Sequence, residues 1–513
     1  MKKVIESVIA LIACVLLLLD GCASALNNSL PGELAGQENN YPETLEIIAP
    51  TFFWDTADRN AETAKQQWQD EMLARYGVQI TVYSNTYTES GTPVMTGANK
   101  NRDVFSGKEK FSGLVQIEAM NTLQSAIDRN FAVPLEDYLV DNAVWNALPD
   151  EIKSTFSVNG HIYAVPTFVS YHMRARVFQK DLFEQTGIDV TDLNSLKEFG
   201  TAYAQSTGHY TISSDSFFDM NDVMNAFGLY TQMTNGFSYD PTENCYVDFL
   251  TKGAAVDALE YLRELYQVGA LNCDFQKPTY DMNTASHQAT YGLYNPDNYN
   301  EVLTLNPQYP QVLNNYVNGF YMTKDTVQPK ETINFFVNML FGSEQNYLDC
   351  WLGSSDGYVL NSDGTITMNM VQNADGSYTA PAMPKLTGGF PDFFPYSDAN
   401  ILYSQDGVVT NNSEIAAGKI NKDYEVLSDA LDKGTVVKIS PAYSIINNPS
   451  YYTNYNDICA LFEHCIKDAL TRTDYTIQQI VDDYKQEMLN LGGNRMLDEM
   501  NAAIGKQTAY YYG

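Results

Sequence analysis

The chain has 513 residues, with 30 Lys and Arg against 63 Asp and Glu and a formal net charge of −33. So acidic a chain repels phosphate backbones and anionic lipid headgroups, which argues against nucleic-acid binding and against docking to a membrane by a basic face. The length exceeds what one hydrophobic core usually covers, so two or more lobes are expected.

The N-terminus reads as an address. Lys2 and Lys3 precede an apolar run from Val8 to Leu19, shorter than the roughly 20 residues that a membrane-spanning helix needs and suited to a signal-peptide core. The run ends in Leu19-Asp20-Gly21-Cys22, which resembles a bacterial lipobox, in which the cysteine thiol is acylated and the chain is cut just before it. Residues 1–21 then read as a signal peptide and 22–42 as a lipidated Cys22 on a polar, flexible tether. The bland alternative is an uncut anchor helix with an incidental Cys22. The implied location is the extracytoplasmic face of a Gram-positive cell membrane. Of seven cysteines, none forms a Cys-x-x-Cys pair, so zinc-knuckle and thioredoxin motifs are absent. Cys245–Cys273 is a conceivable disulfide, and buried thiols are the expected state.

Along the chain, "LEIIAP" (45–50) reads as a strand. Ala61, Ala64, Trp68, Met72 and Tyr76 then fall at helical spacing, with Gly77 placed to end the helix. A strand at 78–83 follows, then a polar loop over 84–112, a third strand at 113–120 and a helix ending near Phe131. "VNGHIYAVPTF" (158–168) reads as a strand stopped by Pro166. Val256, Leu259, Leu262 and Tyr266 line one helix face ended by Gly269. Ser343 is placed to cap a helix, and Asp363-Gly364 and Asp375-Gly376 signal hairpin turns. Three helices close the chain. Alternating strands and helices define a mixed α/β protein.

Several segments, in order, are similar to extracellular solute-binding proteins of ABC importers, of the large carbohydrate-binding family 1 type. "VNGHIYAVPT", "VFQKDLFEQTGIDVTDLNSLKEF", "ALEYLRELYQVGALNCDF", "FGSEQNYLDCWLGSSDGYVLNSDGT" and "YKQEMLNLGGNRMLDEMNAAI" carry the resemblance. Phe178-Gln179 stands where the family usually has Tyr-Asn. The resemblance implies a periplasmic-binding-protein-like class II fold: two α/β lobes joined by a hinge that close on a ligand. Crossings are expected near Val165-Pro166 and Gly292–Pro296. The first lobe would take 43–165 with 296–350, and the second 166–291 with 351–513.

A sugar cleft needs aromatic faces for C–H surfaces and polar side chains for hydroxyls. The expected ligand contacts are Trp54, Glu118, Tyr171, His172, Tyr294, Asn295, Trp351, Phe394 and Tyr396. For each aromatic the competing role is core packing. Trp68 is assigned to the core, and Trp145 to surface or packing. Gly353-Ser354-Ser355-Asp356-Gly357 matches Gly-x-Ser-x-Gly but lacks the strand-then-helix context of a hydrolase nucleophile. The histidines lack zinc spacing, and "TGHYTISSDSFFDMNDV" lacks a calcium-loop pattern, so no metal or cofactor is expected.

The expected function is a monomeric lipid-anchored receptor that takes a sugar or oligosaccharide to ABC permease subunits, without chemistry on the ligand. An oligopeptide or polyol receptor of the same fold is the first alternative. A surface glycoside hydrolase, with its two carboxylates, is another. A third is a sensor or adhesion lipoprotein.

Overall fold

The computed structural model describes residues 40–52, 61–87, 93–117, 120–214, 220–230, 236–273, 284–290, 298–353, 357–361, 365–372, 378–379, 401–405, 408–410, 429–437 and 454–512. The two main sheets use strands β1 (Thr44–Phe52), β2 (Gln79–Tyr87), β3 (Pro93–Val94), β4 (Leu114–Gln116), β5 (Ala164–His172), β6 (Arg174–Gln179), β7 (Ile212–Ser214), β8 (Leu271–Cys273), β9 (Ser286–Thr290), β10 (Tyr299–Val302) and β11 (Asn314–Met322). The first sheet has the order β3-β2-β1-β4-β11-β5, and the second β8-β7-β9-β6-β10. In the first, β2, β1 and β4 are parallel and β11 runs against both β4 and β5. In the second, β7, β8 and β9 are parallel and β6 runs against β9 and β10.

Each sheet organises its own core. The helix α1 (Ala61–Tyr76) buries Trp68 and Met72 against Leu45, Ile47, Ile80 and Val82 of β1 and β2, as the spacing of those residues predicts. A short polar helix, α2 (Thr96–Phe105), follows β3 and buries Gly97 and Val104. The second core is built around α3 (Leu193–Thr207) and α4 (Ala254–Gln267). Asp192 caps α3 in a reciprocal box with Ser195. Gly269 ends the α4 region in the left-handed conformation at φ 75°, which costs glycine nothing. The helices α5 (Pro329–Phe341) and α6 (Glu344–Leu352) pack in the first core, with Ser343 accepting from the Asn346 N–H at the start of α6. The last three helices, α7 (Tyr455–Thr471), α8 (Ile477–Asn490) and α9 (Gly493–Ala503), pack in the second.

Several sequence expectations change. Residues 84–112 are not one loop: β2 continues to Tyr87, and β3 and α2 follow. Pro166 does not stop its strand. It pairs with Gly319 within β5, an edge strand, where a missing N–H leaves no ladder partner wanting. The first crossing therefore lies at Met173, between β5 of one sheet and β6 of the other, and not at Val165-Pro166. The other expected crossing, Gly292–Pro296, lies outside the described residues; β9 and β10 on its two sides both pair with β6, so both flanks belong to the second sheet. The second crossing falls between Val302 and Asn314. Trp351, Tyr358, Ile366, Met368, Ala430 and Val436 belong to the first core and not to the second. Val436 packs in the first core and Ile458 in the second, so the chain passes between lobes a third time between them, and among the described residues after 350 the helices from Tyr455 are those that pack in the second core. Trp145 is buried in the first core. The two Asp-Gly turns lie outside the described residues, but the strands flanking each pair antiparallel, Leu360 with Ile366 and Gln372 with Tyr378. Cys245, Cys350 and Cys465 are buried free thiols, so the conceivable Cys245–Cys273 bridge is not formed.

Candidate functional site: the facing edges of the two sheets

Strand direction locates the site. β5 runs parallel to β4, so His172 and the crossing at Met173 lie at the carboxyl edge of the first sheet. β6 runs against β9, and Arg174 pairs with Thr290, the last residue of β9. The crossing therefore also lies at the carboxyl edge of the second sheet. Both sheets turn their carboxyl edges toward one hinge, which is where open α/β sheets bind ligands.

The hinge is stitched by hydrogen bonds. Gln311 and Val312 pair in parallel with Val436 and Val437. The Gln311 side-chain Nε2 donates to the Arg174 carbonyl at 2.6 Å. One glutamine thus ties together residues of all three crossing segments. Asn225 donates to the Pro310 carbonyl at 3.3 Å, and Asn306 to the Ala226 carbonyl at 2.8 Å, which fastens the second crossing to the second lobe.

On the first sheet, buried polar side chains interrupt an apolar face. Ile80 and Val82 of β2 and Leu114 of β4 point into the first core. Two residues further along each strand come Ser84 and Gln116, both buried. Ala49, between them on β1, pairs with Ser84. Gln116 Nε2 donates to the Asn318 Oδ1 of β11 at 3.3 Å. On β5, Thr167 is the extra residue of a bulge opposite Asn318 and Gly319, and its carbonyl accepts from the Tyr347 hydroxyl at 3.0 Å. Asn85, on the other face, accepts from the Ala98 N–H at the start of α2.

The second sheet carries a charge in its middle. Arg176 of β6 is fully buried. Its Nε and Nη2 donate to the two carboxylate oxygens of Asp222 at 2.6 and 2.7 Å, and Nη1 to the Ser286 hydroxyl at 3.2 Å. Ser286 donates in turn to the Thr211 carbonyl. A bidentate fork of this kind is strong and directional.

The sequence-derived contacts fare unevenly. Trp54, Glu118, Tyr294, Asn295, Phe394 and Tyr396 lie outside the described residues, as does Cys22. Tyr171 and His172 fall at the end of β5, where their backbones pair with Asn315 and Asn314 beside the hinge. Trp351 is 3% exposed within the first core, which is a packing environment. Ser354–Asp356 are outside the described residues; a helix precedes them and a strand, Tyr358–Leu360, follows, opposite to the order a nucleophile elbow requires. Sequence reading passed over Ser84, Gln116, Asn318, Thr167 and Gln311. The available signal was a break in alternation: "QITVYSN" reads apolar at 80 and 82 and then Ser at 84.

No family model matches the chain, and no curated protein does. Solved structures do. The N-glycan transport solute binding protein NgtS of Streptococcus pneumoniae aligns over 90% of this chain and 99% of its own, with TM-score 0.55 and 11% identity. The S. pneumoniae ABC-transporter substrate binding protein FusA, solved with kestose, aligns over 89% and 98%, with TM-score 0.54 and 14% identity. An uncharacterized protein of Listeria monocytogenes, lmo0859, aligns over 88% and 100%, with TM-score 0.50 and 13% identity. The chain therefore has the two-lobed α/β fold of periplasmic-binding-protein-like sugar-binding proteins.

Proposed function

We propose that this chain is an extracytoplasmic receptor of an ABC importer, anchored by lipid at Cys22, that captures a carbohydrate by hinge closure and passes it to permease subunits unchanged. The observation that carries the reading is the fold together with its topology: two sheets that turn their carboxyl edges to one hinge. NgtS and FusA, which share the fold, are a transport solute-binding protein and an ABC-transporter substrate-binding protein by name. Ligand that touches both lobes stabilises the closed form and so shifts its population. The lipobox-like Leu19-Asp20-Gly21-Cys22 supports the anchor.

The test is a thermal-shift and calorimetric screen of the full chain in mild detergent against neutral and acidic oligosaccharides, peptides and polyols, with recovery of the ligand. A saturable shift with an intact oligosaccharide supports the receptor, since ligand at 100 times its Kd adds about 2.7 kcal/mol to stability. Recovery of cleaved sugar makes the chain a hydrolase, and a shift with peptides alone overturns the carbohydrate assignment. For the anchor, Cys22→Ser should release the protein from membranes into the medium.

A further inference from the structure

We propose that residues 506–512 form a detachable strap whose Tyr512 ring fills a phenol-reading socket in the second lobe. The strap would act in this way whatever ligand the lobes close on.

The strap is held by side chains. Residues 506–512 have no regular secondary structure, and among the described residues the backbone of 507–512 bonds to no other backbone group. Asn494, in the first turn of α9, takes the place of a neighbouring strand. Its Oδ1 accepts from the Tyr512 N–H at 2.7 Å, and its Nδ2 donates to the Tyr512 carbonyl at 3.2 Å. Further along α9, Asn501 does the same for Tyr246, in the hairpin of Phe237–Asp240 and Cys245–Asp248, at 2.6 and 3.0 Å. Its Nδ2 also donates to the Thr508 hydroxyl at 3.2 Å. The Thr508 and Tyr511 hydroxyls donate to Asp498, and the Tyr510 hydroxyl to Glu243. The strap thus spans from α9 to the hairpin.

One ring anchors it. Tyr512 is 2% exposed, although Tyr511 beside it is 51% exposed. The Tyr512 hydroxyl donates to Asp248 Oδ2 at 2.5 Å, and the Tyr484 hydroxyl of α8 to the same oxygen at 2.6 Å. Asp248 Oδ1 accepts from the Leu250 N–H at 2.9 Å. These donors are all neutral, and Asp248 is 0% exposed. A carboxylate so placed is costly unless donors surround it, so the socket rewards an O–H delivered at that point.

The sequence leaves room for the ring. A Cβ on Gly493, the first residue of α9, would lie 2.4 Å from Tyr512 Cε2. Gly492 needs glycine for its φ of 84°. Gly493 is helical, where glycine is a poor choice, and the seated ring accounts for it. A single ring at the end of a segment tied by side chains can leave without breaking a helix or a strand. The site it vacates has the shape of a phenol, with a carboxylate to receive the hydroxyl.

Tyr512→Ala in the full chain tests the socket. Its melting temperature should fall by about 5 °C or more. Added p-cresol should recover about 3 °C at ten times its dissociation constant, saturably, and toluene should recover less. If Tyr512→Ala folds poorly, refolding yield with and without p-cresol reads the same rescue. An unchanged melting temperature, or no rescue by p-cresol, overturns the socket, and equal rescue by toluene overturns its choice of a phenol. Asn494→Ala tests detachment. Hydrogen exchange at the Tyr512 amide should speed up about ten-fold while amides inside α8 keep their protection. Unchanged exchange at Tyr512, or loss of protection through α8 as well, overturns the strap as a separable element.

Discussion

The two sheets treat their buried polar groups differently. In the second, Arg176, Asp222, Ser286 and the Thr211 carbonyl make a chain of donors matched to acceptors, inside the protein and out of reach of water. In the first, two buried hydroxyls, on Ser84 and Thr167, have no hydrogen-bond partner. A satisfied network is fixed and specifies one arrangement of the strands around it. The Ser84 and Thr167 hydroxyls make no such bond and specify less of what surrounds them. The contrast is between the two sheets, one braced by an ion pair at its centre and the other holding neutral polar side chains.

The sharpest way to break this contrast is to remove half of the charged pair. Arg176→Ala should cost about 3–5 kcal/mol, because it strands the Asp222 carboxylate in a buried site; urea unfolding followed by tryptophan fluorescence and circular dichroism measures it. Asp248 is next. It accepts from the Tyr484 and Tyr512 hydroxyls and from the Leu250 N–H, and Asp248→Ala should cost about 3 kcal/mol by leaving those donors unpaired. Burial holds the Asp248 carboxyl above its ordinary range, against the pull of the two tyrosines. With the folded value above the unfolded one, its contribution declines as pH rises through the folded value. Acidification toward the ordinary carboxylate range should therefore raise the stability of the native protein relative to Asp248→Asn, read as melting temperature against pH.

The hinge gives a smaller effect. Gln311→Leu removes the donor to the Arg174 carbonyl and should cost about 1 kcal/mol by thermal unfolding. Asp192→Ala, at the cap of α3, should cost about 1 kcal/mol or less at pH 7, the group being exposed. The Ser195 N–H and hydroxyl hold the Asp192 carboxyl below its ordinary range. Its contribution is thus present above the unfolded value and lost as pH falls through the folded one, so the gap between variant and native protein should close in acid.

Much of the fold was legible. α1, α4 and the C-terminal helices carry apolar stripes at helical spacing, and tertiary packing used those same faces. α2 was not legible, because "TGANKNRDVF" buries only Gly97 and Val104 and shows no apolar stripe to read. The crossings were misplaced because Pro166 reads as a strand breaker until it is known to sit on an edge, and edge position is a property of the whole sheet. The site was harder still. Aromatic residues stand out in a sequence, yet Trp351 is a core residue. Ser84 and Thr167 have ordinary surroundings in the sequence, and only the fold buries their hydroxyls without partners.

The three crossings carry a consequence for the order in which the protein is made. The first core draws on residues from Leu45 to Val436, and the second on residues from Phe178 to Tyr512. A chain that emerges from its amino terminus therefore holds most of both cores before it can close either. The first lobe waits for Val436 and the second for the last helices. Until those residues emerge, each core lacks part of its packing.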